Sequence, residues 1–132
     1  MEDFFLTIKE LLIIKNFFLV IRGLDNTLLL LIISLPIGFV LSLIFALGRV
    51  SKIRIISKSI AAYIFIIRGT PLLVQIYLIY FGLGSIKAIR DSFLWYLLKE
   101  PFWCGVIALT INTVAYGSEI FRGGIQSISK EQ

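Results

Sequence analysis

Three stretches of this 132-residue chain carry no charged side chain: residues 26–48, 69–86 and 101–118. Each approaches the roughly 20 apolar residues that a helix needs to cross about 30 Å of hydrocarbon. The pattern predicts an all-α, polytopic membrane protein with three transmembrane helices. Ahead of the first span, residues 4–22 are apolar but interrupted by Lys9, Glu10 and Lys15. Phe4, Ile8, Leu11, Leu12 and Phe18 recur there at roughly helical spacing, which predicts a helix lying in the membrane interface. Gly23 and Asp25-Asn26-Thr27 follow and read as an interruption that caps a new helix. The chain is thereby divided into an N-terminal interfacial segment, 1–25, and a transmembrane part, 26–132.

Small residues pattern two of the spans. Within the first, Thr27–Leu47, Ser34, Gly38, Ser42 and Ala46 recur every four residues and form a stripe that lets another helix approach closely. Pro36 is a candidate bend. In the third span, Gly105, Ala108, Asn112, Ala115 and Glu119 fall at three- and four-residue steps. An amide such as Asn112 is expensive in hydrocarbon, so this face is expected to turn toward other helices or a pathway. Glu119 and Arg122, three apart, suit an ion pair at the membrane edge, and Gly123-Gly124 reads as the helix end.

The second span is interrupted. Ser59–Ile67 is apolar, Arg68-Gly69-Thr70-Pro71 follows, and the apolar Leu72–Gly84 continues. Pro71 lacks an N–H and disfavours helix at Thr70, so one helix cannot run through. We expect a short helix, a break near Gly69, and a new helix with Thr70 as N-cap and Pro71 at its first position. Backbone exposed at membrane depth must be satisfied by protein or a water-filled cavity. Arg68 has two readings there: a cap or ion pair near the interface, or direct contact with a transported anion. On a continuous helix Arg68, Leu72 and Gln75 would share a face.

Composition narrows the function. The chain is 58% hydrophobic and 16% charged, with mean hydropathy +0.96, which excludes a water-soluble globular domain. It has no histidine and one cysteine, Cys104, so no metal, haem or disulfide framework is expected and no cofactor is implied. Hydrolytic or redox catalysis is improbable on the same grounds. The net charge of +5 does not indicate nucleic acid, because the basic residues sit beside apolar runs rather than along a solvated stripe. Arg49, Lys52, Arg54 and Lys58 place the 49–58 loop in the cytoplasm, and hence the N-terminus outside.

The run Phe65-Ile66-Ile67-Arg68-Gly69-Thr70-Pro71-Leu72-Leu73-Val74-Gln75, followed by Tyr80-Phe81-Gly82, closely resembles one family. It is similar to the membrane-spanning permease subunits of polar amino-acid ABC transporters, of the histidine/glutamine/arginine type. A second block agrees: Asn112-Thr113, Ala115-Tyr116, Glu119, Arg122-Gly123-Gly124-Ile125 and Gln132. Gly23…Asn26-Thr27-Leu28 is a weaker match, and the resemblance covers about residues 20–132. Ser118 stands where the family more often has Ala, and Ser129-Lys130-Glu131-Gln132 where it usually has a Pro and a Gly before Gln.

The resemblance implies a partial type I importer permease fold in the bacterial inner membrane. It implies a dimer with an identical or paralogous permease, a cytoplasmic ATPase dimer that hydrolyses the ATP, and an extracytoplasmic solute-binding protein. The permease itself would carry no catalytic residue. Arg68, Gln75 and Asn112 are then candidates for the substrate pathway. Gly69, Thr70, Pro71, Glu119, Arg122, Gly123 and Gly124 are motif positions with structural roles. The family continues beyond this point into a Glu-Ala-Ala coupling loop and two further spans, so the resemblance implies a permease fragment that would not drive uptake alone. A small helical membrane protein that scaffolds other helices is the alternative, and an ion channel a weaker one.

Overall fold

The computed structural model describes residues 2–128, with side chains described for Lys9 and for 13–128. The departure from the family pattern at 129–132, and the face expected from Phe4, Ile8, Leu11 and Leu12, lie outside the described residues and side chains. Helices α1 (Glu2–Val50), α2 (Arg54–Gly69), α3 (Leu72–Tyr77), α4 (Lys87–Arg90), α5 (Trp95–Leu98) and α6 (Pro101–Ile128) make up the fold, with a π-helical turn, Leu78–Leu83, continuing α3.

The seam between α1 and α6 is the core. Ser34, Ser42 and Ala46 are fully buried, as are Ala108, Ala115 and Ser118 facing them from α6. Gly38 lies so close to Thr113 that an added Cβ would stand 2.7 Å from its Cγ2. Each serine hydroxyl donates to its own helix, Ser34 to the carbonyl of Leu30 and Ser42 to that of Gly38, both at 2.6 Å. Ser42 also reaches the carbonyl of Thr113 at 3.2 Å across the seam. Small polar side chains thus pack tightly without stranding a donor. The stripe expected from the sequence is this seam, and the small face of the third span meets it, except for Asn112, which turns toward α3.

Register along the seam decides the topology. Gly105 faces Leu30, Thr113 faces Gly38 and Ser42, and Glu119 reaches Arg49. Successive residues of α6 therefore meet successive residues of α1 in the same direction, so the two helices are parallel. A chain leaving the end of α1 must return the full length of the seam before α6 starts. The segment between them, α2 with α3 and the π-helical turn, is apolar enough to span but bends by 106° at its break. Parallel α1 and α6 make this bent pair a crossing rather than a hairpin returning to its own side. The three expected spans are thus two long helices and one elbow.

Three local expectations are corrected. The interruption at Gly23 and Asp25-Asn26-Thr27 is absent: α1 runs unbroken for 49 residues, about 74 Å at ~1.5 Å per residue. Thr27 donates its hydroxyl to the carbonyl of Gly23 at 3.0 Å, a bond inside the helix that replaces the expected cap. Gly123-Gly124 do not end α6, which continues to Ile128. A glycine stop needs a positive φ, and none occurs among the described glycines. The Arg122 guanidinium donating to Gln126 Oε1 at 2.8 Å supports the extra turn. The third lies at Thr70, which closes α2 and does not cap the helix that follows.

Candidate functional site

At the elbow, Thr70 has extended backbone (φ −115°, ψ 137°) and closes α2. Its hydroxyl faces backwards, donating toward the carbonyls of Ile66 at 3.1 Å and Ile67 at 3.2 Å. It therefore does not N-cap the next helix. Pro71 (φ −61°, ψ 140°) holds the cap position and α3 begins one residue later, at Leu72. Proline fits there because the first turn of a helix needs no N–H from it.

Gln75, one turn into α3, is only 6% exposed. Its Nε2 donates to the carbonyl of Ile67 at 2.8 Å, to that of Thr70 at 3.0 Å and to Thr70 Oγ1 at 3.0 Å. Three acceptors for two amide protons fix which end of the side chain faces the break. Oε1 is left toward α6, where it accepts from Asn112 Nδ2 at 3.5 Å. Two of the predicted pathway residues, Gln75 and Asn112, are thus brought together. Each is engaged with protein, which is what an amide in a span requires.

Arg68 lies elsewhere. Its guanidinium stacks over the Tyr116 ring at 5.1 Å from the centroid. Both line a cavity of about 430 Å³ between α2 and α6, with Ile64 and Phe65 on one wall and Arg49 and Glu119 at one end. The cavity therefore has apolar walls, an aromatic face and charges of both signs.

Glu119 joins two arginines. Arg122 donates to its Oε2 through Nη2 at 2.7 Å and Nε at 3.0 Å, and Arg49 Nε donates to Oε1 at 3.3 Å. The local pair of Glu119 and Arg122 was legible from its spacing. Arg49 was not, because it belongs to α1 and meets Glu119 only through tertiary packing. Arg49 also donates to Ser57 Oγ at 3.2 Å, and Ser57 returns a bond to the carbonyl of Arg49 at 2.9 Å. One guanidinium therefore ties together the ends of α1, α2 and α6. A second missed contact is Tyr63, whose hydroxyl donates to the carbonyl of Ile111 at 2.6 Å and braces α2 on α6. Gly69, Gly123 and Gly124 have open space around them.

Comparison with known proteins bears on this arrangement. Residues 38–132 match the family described as binding-protein-dependent transport system inner membrane component. The nopaline transport system permease protein NocM of Agrobacterium fabrum is 48% identical over 122 residues, covering 92% of this chain and 51% of that protein. The arginine ABC transporter permease protein ArtM of Haemophilus influenzae is 37% identical over 113 residues, 86% of this chain and 50% of its own. The histidine/lysine/arginine/ornithine transport system permease protein HisM of Escherichia coli is 43% identical over 107 residues, 80% and 45% respectively. A crystal structure of an amino acid ABC transporter with histidines superimposes with a TM-score of 0.72 at 41% identity, covering 89% of this chain and 51% of that one. The chain spans about half the length of the relatives it matches.

Proposed function

This chain belongs to the family of binding-protein-dependent transport system inner membrane components, and from that premise we propose that it builds one wall of the amino-acid pathway in an ATP-driven importer. Members of that family are membrane components, and the chemistry of ATP hydrolysis falls to a separate cytoplasmic ATPase dimer. A second permease subunit, identical or paralogous, completes the pathway, and an extracytoplasmic solute-binding protein delivers the solute. In the bacterial inner membrane the basic end of the bundle, with Arg49, Lys52, Arg54 and Lys58, faces the cytoplasm. Residues 1–25 then lie outside as an extension of the first span, and residues 26–132 form the N-terminal part of the transmembrane domain.

The observation that carries the proposal is the elbow with Arg68 beside it in a cavity walled by α2 and α6. Irregular backbone at membrane depth is tolerated where it is buried in protein or lines a cavity. Arg68 offers a positive charge to the carboxylate of an amino acid, while Glu119, held by Arg49 and Arg122, fixes the end of the cavity. Nopaline, octopine, arginine and histidine, the solutes in the relatives' names, share that amino-acid end.

The test uses a permease subunit carrying this segment, reconstituted with its ATPase and binding protein in proteoliposomes. Arg68→Ala is expected to lower amino-acid uptake about tenfold, the equivalent of ~1.4 kcal/mol, while the complex still assembles. Uptake at the wild-type rate would remove Arg68 from the pathway. Loss of assembly would make it a structural residue.

A further inference from the structure

We propose that Gln75 is the positioning residue of the elbow: its amide makes the hydrogen bond that Pro71 cannot, fixes the bend, and so holds Arg68 at the cavity. Had α2 continued as a helix, the N–H of residue 71 would have donated to the carbonyl of Ile67, four residues earlier. Proline has no such proton. Gln75 Nε2 takes that role at 2.8 Å from the carbonyl of Ile67, its shortest bond beside those from the Thr70 hydroxyl at 3.2 Å and the Thr70 N–H at 3.3 Å. The same amide group reaches the carbonyl and hydroxyl of Thr70, so every contact it donates lands on the last turn of α2 or the break itself.

A side chain rooted in α3 and bonded to the end of α2 is a strap across the 106° bend. Opening the angle pulls Nε2 from the carbonyl of Thr70 and takes from Ile67 its shortest bond, a loss that a bilayer, with no water to replace it, makes costly. Arg68 immediately follows Ile67, the strapped carbonyl, so its placement over Tyr116 is set by the same bond. The outward-facing Oε1 meets Asn112 at 3.5 Å, the longest of the four contacts. This contact can lengthen without disturbing the three bonds that Nε2 makes to the end of α2 and the break.

The consequence for uptake rests on the pathway reading above, whereas the geometry is tested without it. In the assembled transporter, with other thiols removed, spin labels are placed at Ile55→Cys on α2 and Leu78→Cys beyond the break, both well-exposed positions. Wild type gives a narrow distance distribution. Gln75→Leu, which fills the same space without donors, broadens it. Adding Pro71→Ala returns an N–H for Ile67 and moves the distribution to longer distances, because the two helices then straighten. Asn112→Ala leaves it narrow.

Uptake by Gln75→Leu falls about tenfold or more, the scale expected when a positioned group drifts by an ångström. A narrow, unshifted distribution in Gln75→Leu overturns the strap even if uptake is lost. Broadening with uptake unchanged keeps the strap and overturns the pathway reading instead. If the leucine variant does not assemble, Gln75→Met, of similar length and without a donor, is read in its place with the same outcomes.

Discussion

Adding one methyl group at Gly38 should separate the two long helices. Its Cβ would stand 2.7 Å from Thr113 Cγ2 and 2.8 Å from Thr113 Cβ, against 3.4–4 Å for ordinary contact. The second of these atoms is bonded to the backbone, and a β-branched side chain is stiff at χ1, so rotation gives no relief. The helices must move apart by about 0.6 Å, with overpacking strain of about 1–3 kcal/mol. The same movement stretches the bond from Ser42 to the carbonyl of Thr113 from 3.2 Å beyond hydrogen-bonding range, a further ~0.5–1.5 kcal/mol. We therefore expect Gly38→Ala to destabilise the seam by about 1.5–4.5 kcal/mol in total. The assay is the thermal midpoint of a permease carrying this segment in lipid nanodiscs, beside Ser42→Ala and the double variant. Two changes acting on one contact should add to less than their sum. A Gly38→Ala midpoint equal to wild type, or strict additivity with Ser42→Ala, would refute the close approach.

Glu119→Gln leaves Arg49 and Arg122 without their shared carboxylate. With the side chains 19–28% exposed, its cost falls between the exposed and buried limits, about 1–3 kcal/mol. Arg122→Ala should cost less than Arg49→Ala, because the first pair is local to α6 while the second joins three helices; equal midpoints would contradict this. Gly123→Ala should be neutral or stabilising by up to about 1 kcal/mol, since the position is helical and a Cβ meets nothing within 4 Å. A lowered midpoint for Gly123→Ala would mean that the helix does end there.

How far the sequence could be read follows from which contacts are local. The stripe of Ser34, Gly38, Ser42 and Ala46 is a four-residue period, and a period shows on one strand of sequence; the helix that fills it, α6, showed its own matching face. The break at Gly69–Pro71 was equally legible, because proline forbids a helix through it whatever surrounds it. Capping residues were less decisive. Gly23, Asp25 and Thr27 permit a break without imposing one, and Gly123-Gly124 lower helix propensity by only about 1 kcal/mol each relative to alanine. Both sites stayed helical for that reason. Thr70 had two helices to serve and its hydroxyl serves the earlier. The meeting of Arg49 with Glu119, and of Gln75 with Asn112, depends on packing between helices far apart in sequence, which no local pattern encodes.

A pathway lined by Arg68 requires that this residue face water and solute. In the reconstituted importer, Arg68→Cys and Tyr116→Cys are to be treated with a membrane-impermeant thiol reagent, with Cys104, 1% exposed, as the unreactive internal reference. Both introduced thiols should label from the aqueous phase, and saturating amino acid with binding protein and ATP should slow the labelling at residue 68. Labelling at neither position, or at rates that solute leaves unchanged, would contradict the pathway assigned to this cavity.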